Sequence, residues 1–179
     1  TKTRIASSLT LDALSKPIIV PTDATGISHV IDLIHEHFKP PFGEHIRGII
    51  IGVPAILNAD KTAIHYAPHL KGWSDASLVD TMRHAFGCPV YLENDSALCG
   101  LGEAHYGAGK DSSDIAYITI STGVGGAHIV DGKIMHGVYG AEPGHMIIDE
   151  EGKTMTLDAR ISGSALTRRF GKEPRDITD

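Results

Sequence analysis

The chain has 179 residues, of which 41% are hydrophobic and 21% charged, and it carries a formal net charge of -6. This length suits one domain or two small ones, and this hydrophobic fraction is sufficient for a buried core. The acidic balance argues against nucleic acid as a partner, and no apolar stretch approaches the roughly 20 residues that cross a bilayer. Two cysteines are too few for a disulfide framework, which favours a cytoplasmic protein.

The beginning of the chain is predicted to form three strands and one helix. Residues 1–9 and 17–22 have the composition of strands. Apolar residues recur with helical spacing over 27–38, and the prolines that follow predict the end of that helix. The apolar run at 46–54 indicates a strand that is covered on both faces.

The middle of the chain is predicted to continue this alternation. Residues 55–72 show no periodicity and are predicted to be irregular. A helix is predicted to begin at Ser74, as its N-cap, and to stop at Gly87. A strand over 88–93 and a helix over 94–104 are predicted to follow.

A connector rich in Gly, Ser and Asp, at 106–114, predicts a division of the chain into two domains. The first is an N-terminal α/β domain, 1–109, and the second a partial C-terminal α/β domain, 110–179. The alternation of strands and helices in the first predicts an α/β fold with a largely parallel sheet.

Beyond the connector, residues 115–120 and 126–137 are predicted strands that are joined by glycine turns, and a last helix is predicted to begin at Ser162.

Three polar residues, Glu93, Asn94 and Asp95, stand where the strand at 88–93 meets the helix after it. Asn and Asp accept hydrogen bonds from the free N–H groups of a first helical turn, so spacing alone favours a helix cap. The alternative is that a carboxylate here takes part in chemistry.

The segment STGVGG, at 121–126, lies between two predicted strands. Glycines there would let backbone N–H groups converge on a phosphate. No Gly-Lys-Ser/Thr follows and the next segment is a strand, which excludes a P-loop and a Rossmann turn. The alternative is an ordinary hairpin turn.

The segment GAEPGHM, at 140–146, places a carboxylate and an imidazole three positions apart, at Glu142 and His145. These groups could bind a polyol through paired hydrogen bonds. The alternative is a surface loop with no such role.

Five segments occur in series: GVP at 52–54, APHLKGW at 67–73, LENDSALCGLGEAHYGAG at 92–109, ITISTGVGG at 118–126 and GAEPGHM at 140–146. In this order they resemble the ROK family, which comprises bacterial sugar kinases, such as glucokinase, fructokinase and N-acetylhexosamine kinases, and related sugar-responsive repressors. The resemblance implies the actin-like ATPase (ribonuclease-H-like) fold. That fold has two α/β domains with sugar and nucleotide in the cleft between them, and here the second domain is expected to be incomplete.

The resemblance also implies a role for each matching residue on the sugar side. Asp95 matches the general base for the sugar hydroxyl that attacks the γ-phosphate of ATP. Asn94, Glu142 and His145 match residues that bind the sugar. Asp158 stands where the family usually has a sugar-contacting Glu.

On the nucleotide side, the residues that match the loop cradling the phosphates of ATP are Thr122, Gly123, Gly125 and Gly126. The resemblance therefore implies ATP and Mg²⁺ as cofactors.

The chain departs from the family pattern in three places. The Asp and paired glycines of an N-terminal phosphate hairpin are missing, and Thr1 and Lys2 resemble its last residues. A cysteine-rich zinc loop is absent between Gly152 and Leu157, so no zinc is expected. The chain ends at Asp179, before the segment that holds adenine in the family.

The leading hypothesis is an ATP-dependent kinase that phosphorylates a hexose or hexosamine. Its partner would be a small-molecule sugar, with a homodimer as an open option and no nucleic acid or membrane partner. Two alternatives stay open: a non-catalytic sugar-sensing domain like that of the family's transcriptional regulators, and an inactive, truncated kinase fragment.

Overall fold

The computed structural model describes residues 2–23, 26–38, 46–67, 70–73, 77–137 and 141–177. The chain forms two compact units: the first comprises Thr1–Ile51 and Asp60–Leu92, and the second Gly52–Ala59 and Glu93–Asp179. Some positions named in the sequence predictions lie outside the described residues, namely Thr1, the prolines after the first helix, Ser74, Gly140 and Asp179.

From Lys2 to Asn94 the chain forms short strands and two helices. In order, these are β1 (Lys2–Ile5), β2 (Ile18–Pro21), α1 (Ser28–His37), β3 (Ile49–Val53), β4 (Ile56–Leu57), β5 (Ile64–Tyr66), a turn of 3-10 helix (Lys71–Trp73), α2 (Leu78–Phe86) and β6 (Val90–Asn94). β1 and β2 pair antiparallel, and β3 is hydrogen-bonded to β6. The rings of His35 and Phe86 stack at 4.8 Å, which joins α1 to α2.

From Asp95 onward the chain forms a three-stranded sheet, a hairpin and three helices. In order, these are α3 (Asp95–Tyr106), β7 (Asp114–Ile120), β8 (Val124–Val130), β9 (Lys133–Ile134), a 3-10 turn (Pro143–His145), β10 (Ile147–Glu150), β11 (Lys153–Thr156), α4 (Leu157–Ile161), α5 (Gly163–Phe170) and a 3-10 turn (Pro174–Asp176). β7, β8 and β9 form an antiparallel sheet, and β10 pairs antiparallel with β11.

Helix α3 packs on this sheet through small side chains. A Cβ added at Gly100 would lie 3.0 Å from the Cβ atoms of both Ala127 and Tyr117, so glycine permits the close approach. The buried residues of this core are Ala97, Ala104, Ala127 and Ile129. Because α3 is tied to the sheet in this way, the compact units divide before Glu93, whereas the connector predicts a domain boundary after residue 109.

The helix limits are close to those expected. α3 begins after Asn94, α5 begins after Ser162, and α2 ends at Gly87, whose φ is 63°. In the described residues the N-cap of α2 is Ser77, whose Oγ accepts the hydrogen bond from the N–H of Asp80 at 3.2 Å, whereas the predicted N-cap, Ser74, lies outside the described residues. A second Ser three positions downstream satisfies the same sequence rule for an N-cap.

Two strand predictions are also corrected. The segment 55–72 contains β4, β5 and a 3-10 turn, which are too short to leave a periodic pattern. In the first predicted domain, where a largely parallel sheet is expected, β1 pairs antiparallel with β2. The antiparallel pairs β7–β8–β9 and β10–β11 lie beyond residue 109, outside that prediction, and short turns join their consecutive strands. Within the described residues, no helix is long and apolar enough to cross a membrane.

Candidate functional site

Asn94 caps helix α3, as its position in the sequence indicates. Its Oδ1 accepts a hydrogen bond from the N–H of Ala97 at 3.1 Å, and its Nδ2 donates to the carbonyl oxygen of Ala55 at 3.2 Å. One side chain therefore fixes both the start of the helix and its position against the segment Gly52–Ala59 of the same unit.

Asp95 is the first residue of α3, and its side chain is exposed. Oδ1 accepts hydrogen bonds from the N–H of Ser96 at 2.8 Å and from its hydroxyl at 3.4 Å. The neighbouring Glu93 is different, since only 15% of its side chain is exposed and its Oε2 lies 3.9 Å from Nε2 of His136. The carboxylate at the surface is thus that of Asp95, and Glu93 has a structural role.

The turn between β7 and β8 directs its carbonyl groups toward the protein. The carbonyl oxygen of Gly123 accepts from the N–H of Ser121 at 2.8 Å, and that of Ser121 accepts from the N–H of Gly163 at 2.7 Å. The carbonyl oxygen of Thr122 accepts from both the N–H and the Oγ of Ser164, at 3.1 and 2.8 Å. Three consecutive carbonyl groups are therefore satisfied within the fold.

The N–H groups of the same turn differ in whether they have a hydrogen-bond acceptor. That of Val124 donates to Oδ1 of Asp158 at 2.8 Å. In the part of the chain that the structure describes, the N–H groups of Thr122 and Gly123 have no acceptor. Successive backbone N–H groups in a turn can converge on an anion, and the predicted phosphate contact of Thr122 and Gly123 stays a prediction.

Gly125 and Gly126 lie in strand β8 rather than in the turn, although the sequence groups them with Thr122 and Gly123. A Cβ at Gly125 would overlap the hydroxyl oxygen of Ser96, and one at Gly126 would lie 2.7 Å from Cγ of Pro143. These glycines let α3 and the following loop approach the strand. A direct contact of theirs with phosphate stays a prediction.

Glu142 precedes, and His145 ends, the 3-10 turn that covers the beginning of β8. A Cβ at Gly144 would overlap the carbonyl oxygen of Val124, so this turn lies directly against the strand. Burial raises the pKa of Glu142, the positive charge of His145 opposes this shift, and the negative charge of Asp95 adds to it. The three side chains are therefore close enough to interact electrostatically.

The predicted site residues thus converge on the beginning of β8. Asp95 follows the cap of α3, and Ser96 contacts Gly125; Glu142 precedes the turn that packs on Val124. All of them belong to the second unit. Asp158 is also here, and its Oδ1 accepts from the N–H of Val124. The contact with sugar that the resemblance to the ROK family implies for Asp158 stays a prediction.

The sequence predicts a helix start at Ser162, but it does not predict that residues 163 and 164 contact the turn between β7 and β8. Gly163 and Ser164 bind the carbonyl groups of the turn, and a Cβ at Gly163 would lie 2.6 Å from the Ser121 oxygen. A glycine flanked by two serines at a helix start is a weak signal for such a contact, because the same residues are common in helix caps.

The residues present do not fit a zinc site at His145. The hairpin β10–β11 turns at Glu151 and Gly152, and the two cysteines are elsewhere, at Cys88 and Cys99. Among the described residues, no group of three or more His, Cys, Asp or Glu side chains is arranged to hold a metal ion.

Comparison with known proteins places this chain in a family. The ROK family model matches residues 12–179. The glucokinase of Halalkalibacterium halodurans is 35% identical over 130 residues, which are 68% of this chain and 39% of that protein. The xylose repressor of Bacillus subtilis is also 35% identical over 130 residues, which are 69% of this chain and 33% of that protein.

A solved structure supports the same relationship. The ROK family glucokinase from Streptomyces griseus, in complex with glucose and AMPPNP, matches with a TM-score of 0.74 at 25% identity, over 94% of this chain and 56% of that chain. This chain therefore spans between about a third and just over half of the length of these three relatives. It has the actin-like α/β fold of the ROK sugar kinases, and it belongs to the ROK family.

Proposed function

We propose that this chain carries the sugar-phosphorylating site of an ATP-dependent kinase for a hexose or hexosamine. The observation that carries the proposal is the placement of an exposed carboxylate, Asp95, in the same cluster as a partly buried Glu142 and two backbone N–H groups that have no acceptor among the described residues. These groups would supply a proton acceptor, an anion site and a polyol site.

In the proposed reaction, a sugar hydroxyl donates its proton to the carboxylate of Asp95 as its oxygen bonds to the γ-phosphorus of ATP. The bond from that phosphorus to the bridging oxygen breaks, and ADP leaves with the electron pair. Asp95 has only to accept a proton, and its exposed position leaves room for the sugar. The N–H groups of Thr122 and Gly123 would bind phosphate oxygens.

Glu142 and His145 would orient the sugar through its other hydroxyl groups, and the second N–H of the Asn94 amide is suited to the same task. ATP would enter as its Mg²⁺ complex, in which the metal neutralises charge on the transferred group. Because the described residues offer no cluster of three metal ligands, the ion would be held mainly by the phosphates.

The test is a kinase assay with glucose, fructose, mannose and N-acetyl sugars. Asp95→Asn should lower kcat by about 10²- to 10⁴-fold, the usual contribution of a general base. The control is Asp111→Asn, a change in the exposed connector. Unchanged turnover in a folded Asp95→Asn protein would disprove the role of this carboxylate.

A second candidate is a sugar-binding regulatory domain. The observation that favours it is the equal identity, 35%, to a xylose repressor and to a glucokinase. In that case sugars should raise Tm in the absence of ATP, while no sugar is phosphorylated and Asp95→Asn leaves sugar affinity unchanged.

A further inference from the structure

Two carbonyl groups of the Ser121–Gly123 turn, those of Ser121 and Thr122, are bound by a single segment. Gly163 and Ser164 bind the Ser121 and Thr122 carbonyl oxygens, and Asp158 binds the next N–H, that of Val124. These three residues lie at the beginnings of α4 and α5. We name residues 158–164 the clamp.

We propose that the clamp is a positioning device for nucleotide phosphates, and that Asp158 acts on the turn rather than on the sugar. This inference rests on the proposed kinase function. The clamp binds the Ser121 and Thr122 carbonyl oxygens, and the Gly123 oxygen accepts from the N–H of Ser121, so within the described residues the N–H groups of Thr122 and Gly123 are left as the turn's available donors. A peptide unit that rotated would present an oxygen to the phosphate and repel it.

The fit between clamp and turn is tight. A Cβ at Gly163 would lie 2.6 Å from the Ser121 oxygen and 3.5 Å from Cγ of Pro174, so no larger residue is accommodated without movement. A Cβ at Gly123 would lie 3.1 Å from Oδ1 of Asp158. Glycine on both sides of the contact allows the two backbones to meet.

The clamp is itself anchored. Arg160 binds Glu150 on β10 through two hydrogen bonds, from Nε at 2.5 Å and from Nη2 at 2.6 Å. The hydroxyl of Thr156 caps α4 by accepting from the N–H of Ala159 at 3.1 Å, and the N–H of Leu157 donates to the Met146 oxygen at 2.8 Å. Asp158 is thus fixed between the hairpin and the turn.

The first experiment removes one hydrogen bond from the clamp. Ser164→Ala keeps the backbone N–H but loses the hydroxyl donor to Thr122, whereas Ser164→Thr retains a hydroxyl. We expect Ser164→Ala to raise the Kd for Mg·ATP and its KM about five-fold, the effect of one net hydrogen bond, with the KM of the sugar unchanged. Ser164→Thr should restore the affinity for Mg·ATP.

The second experiment distinguishes two possible contacts of Asp158, one with the turn and one with the sugar. Asp158→Asn keeps an oxygen that accepts from the N–H of Val124, and Asp158→Ala does not. The clamp predicts that Mg·ATP binding weakens in Asp158→Ala more than in Asp158→Asn. A sugar-contacting carboxylate predicts instead that both variants raise the KM of the sugar.

Mg·ATP binding is measured by calorimetry, independently of turnover, with Ser113→Ala as the matched control because this exposed hydroxyl is remote in sequence from the clamp. If the chain phosphorylates no sugar but Ser164→Ala still weakens Mg·ATP binding, the kinase proposal fails and the clamp stands. If Mg·ATP does not bind, or if the variants change only the KM of the sugar, the clamp is overturned.

Discussion

Close contacts of single glycine residues with their neighbours decide which segments meet at the site. Gly144 rests on the Val124 carbonyl group, Gly126 on Pro143, and Gly163 on the Ser121 carbonyl group. In each case an added Cβ would lie 2.7 Å or less from a heavy atom, which is shorter than a normal van der Waals contact. These residues therefore act through their lack of a side chain and not through any chemistry of their own.

Gly144→Ala should destabilise the second unit, because the added Cβ meets a backbone oxygen that has no freedom to rotate away. We expect the free energy of unfolding to fall by about 1–3 kcal/mol or more, the usual cost of overpacking. Chemical denaturation followed by circular dichroism measures it.

The matched control is Gly102→Ala, in the exposed part of α3, where nothing lies within 4 Å of the added atom. That change should leave the stability unchanged or raise it by up to about 1 kcal/mol, since Ala favours a helix more than Gly. Equal effects of the two substitutions would contradict the steric interpretation.

At the scale of elements, the start of α3 combines a residue with a structural role and a residue with a proposed catalytic role. Asn94 holds the first turn of the helix and the Ala55 carbonyl group, and Asp95 follows at the surface. The helix cap and the proposed base are therefore adjacent residues with separable roles.

Asn94→Ala should lower the free energy of unfolding by about 1 kcal/mol through loss of the cap alone, with a further loss from the Ala55 contact. Asn94→Asp retains an oxygen for the cap but cannot donate to the Ala55 carbonyl group, so it should be less destabilising. Thermal unfolding of both variants checks this order, and a reversed order would show that repulsion between the new carboxylate and the Ala55 carbonyl oxygen outweighs the cap.

Elements with strong local signals could be predicted from the sequence. The caps at Asn94 and Ser162 and the stop at Gly87 depend on neighbouring residues only, and all three are confirmed. β4 and β5 were missed because strands of two and three residues have no periodicity. Ser77 could not be separated from Ser74 by composition.

The candidate site shows the same limit. Motifs identified Asp95, Glu142 and the 121–126 segment, which the structure brings together. They did not reveal that Asp158 binds the Val124 N–H, or that Ser164 binds the Thr122 carbonyl group, because those contacts join residues 34 and 42 positions apart. Such pairings depend on the packing of whole elements, which local patterns do not encode.

At the scale of the whole molecule, the charge on Glu142 predicts how stability depends on pH. Its pKa is raised in the folded state, so its contribution favours folding below its ordinary value of 4.5 and is lost as pH rises through the raised value. Glu142→Gln should therefore raise Tm at pH 7, and the difference should shrink as pH falls toward 4.5. A difference in Tm that is constant over this range would contradict the role of burial.

The whole of the proposed site lies in one compact unit, Gly52–Ala59 and Glu93–Asp179, and this bears on how a single substitution would change its function. Groups that would contact sugar and groups that would contact phosphate are built on one compact unit, so a change at Asp95 would remove the proposed catalysis and leave the other groups in place. In the proposed function, one substitution then separates a unit that turns over its ligand from a unit that only binds it.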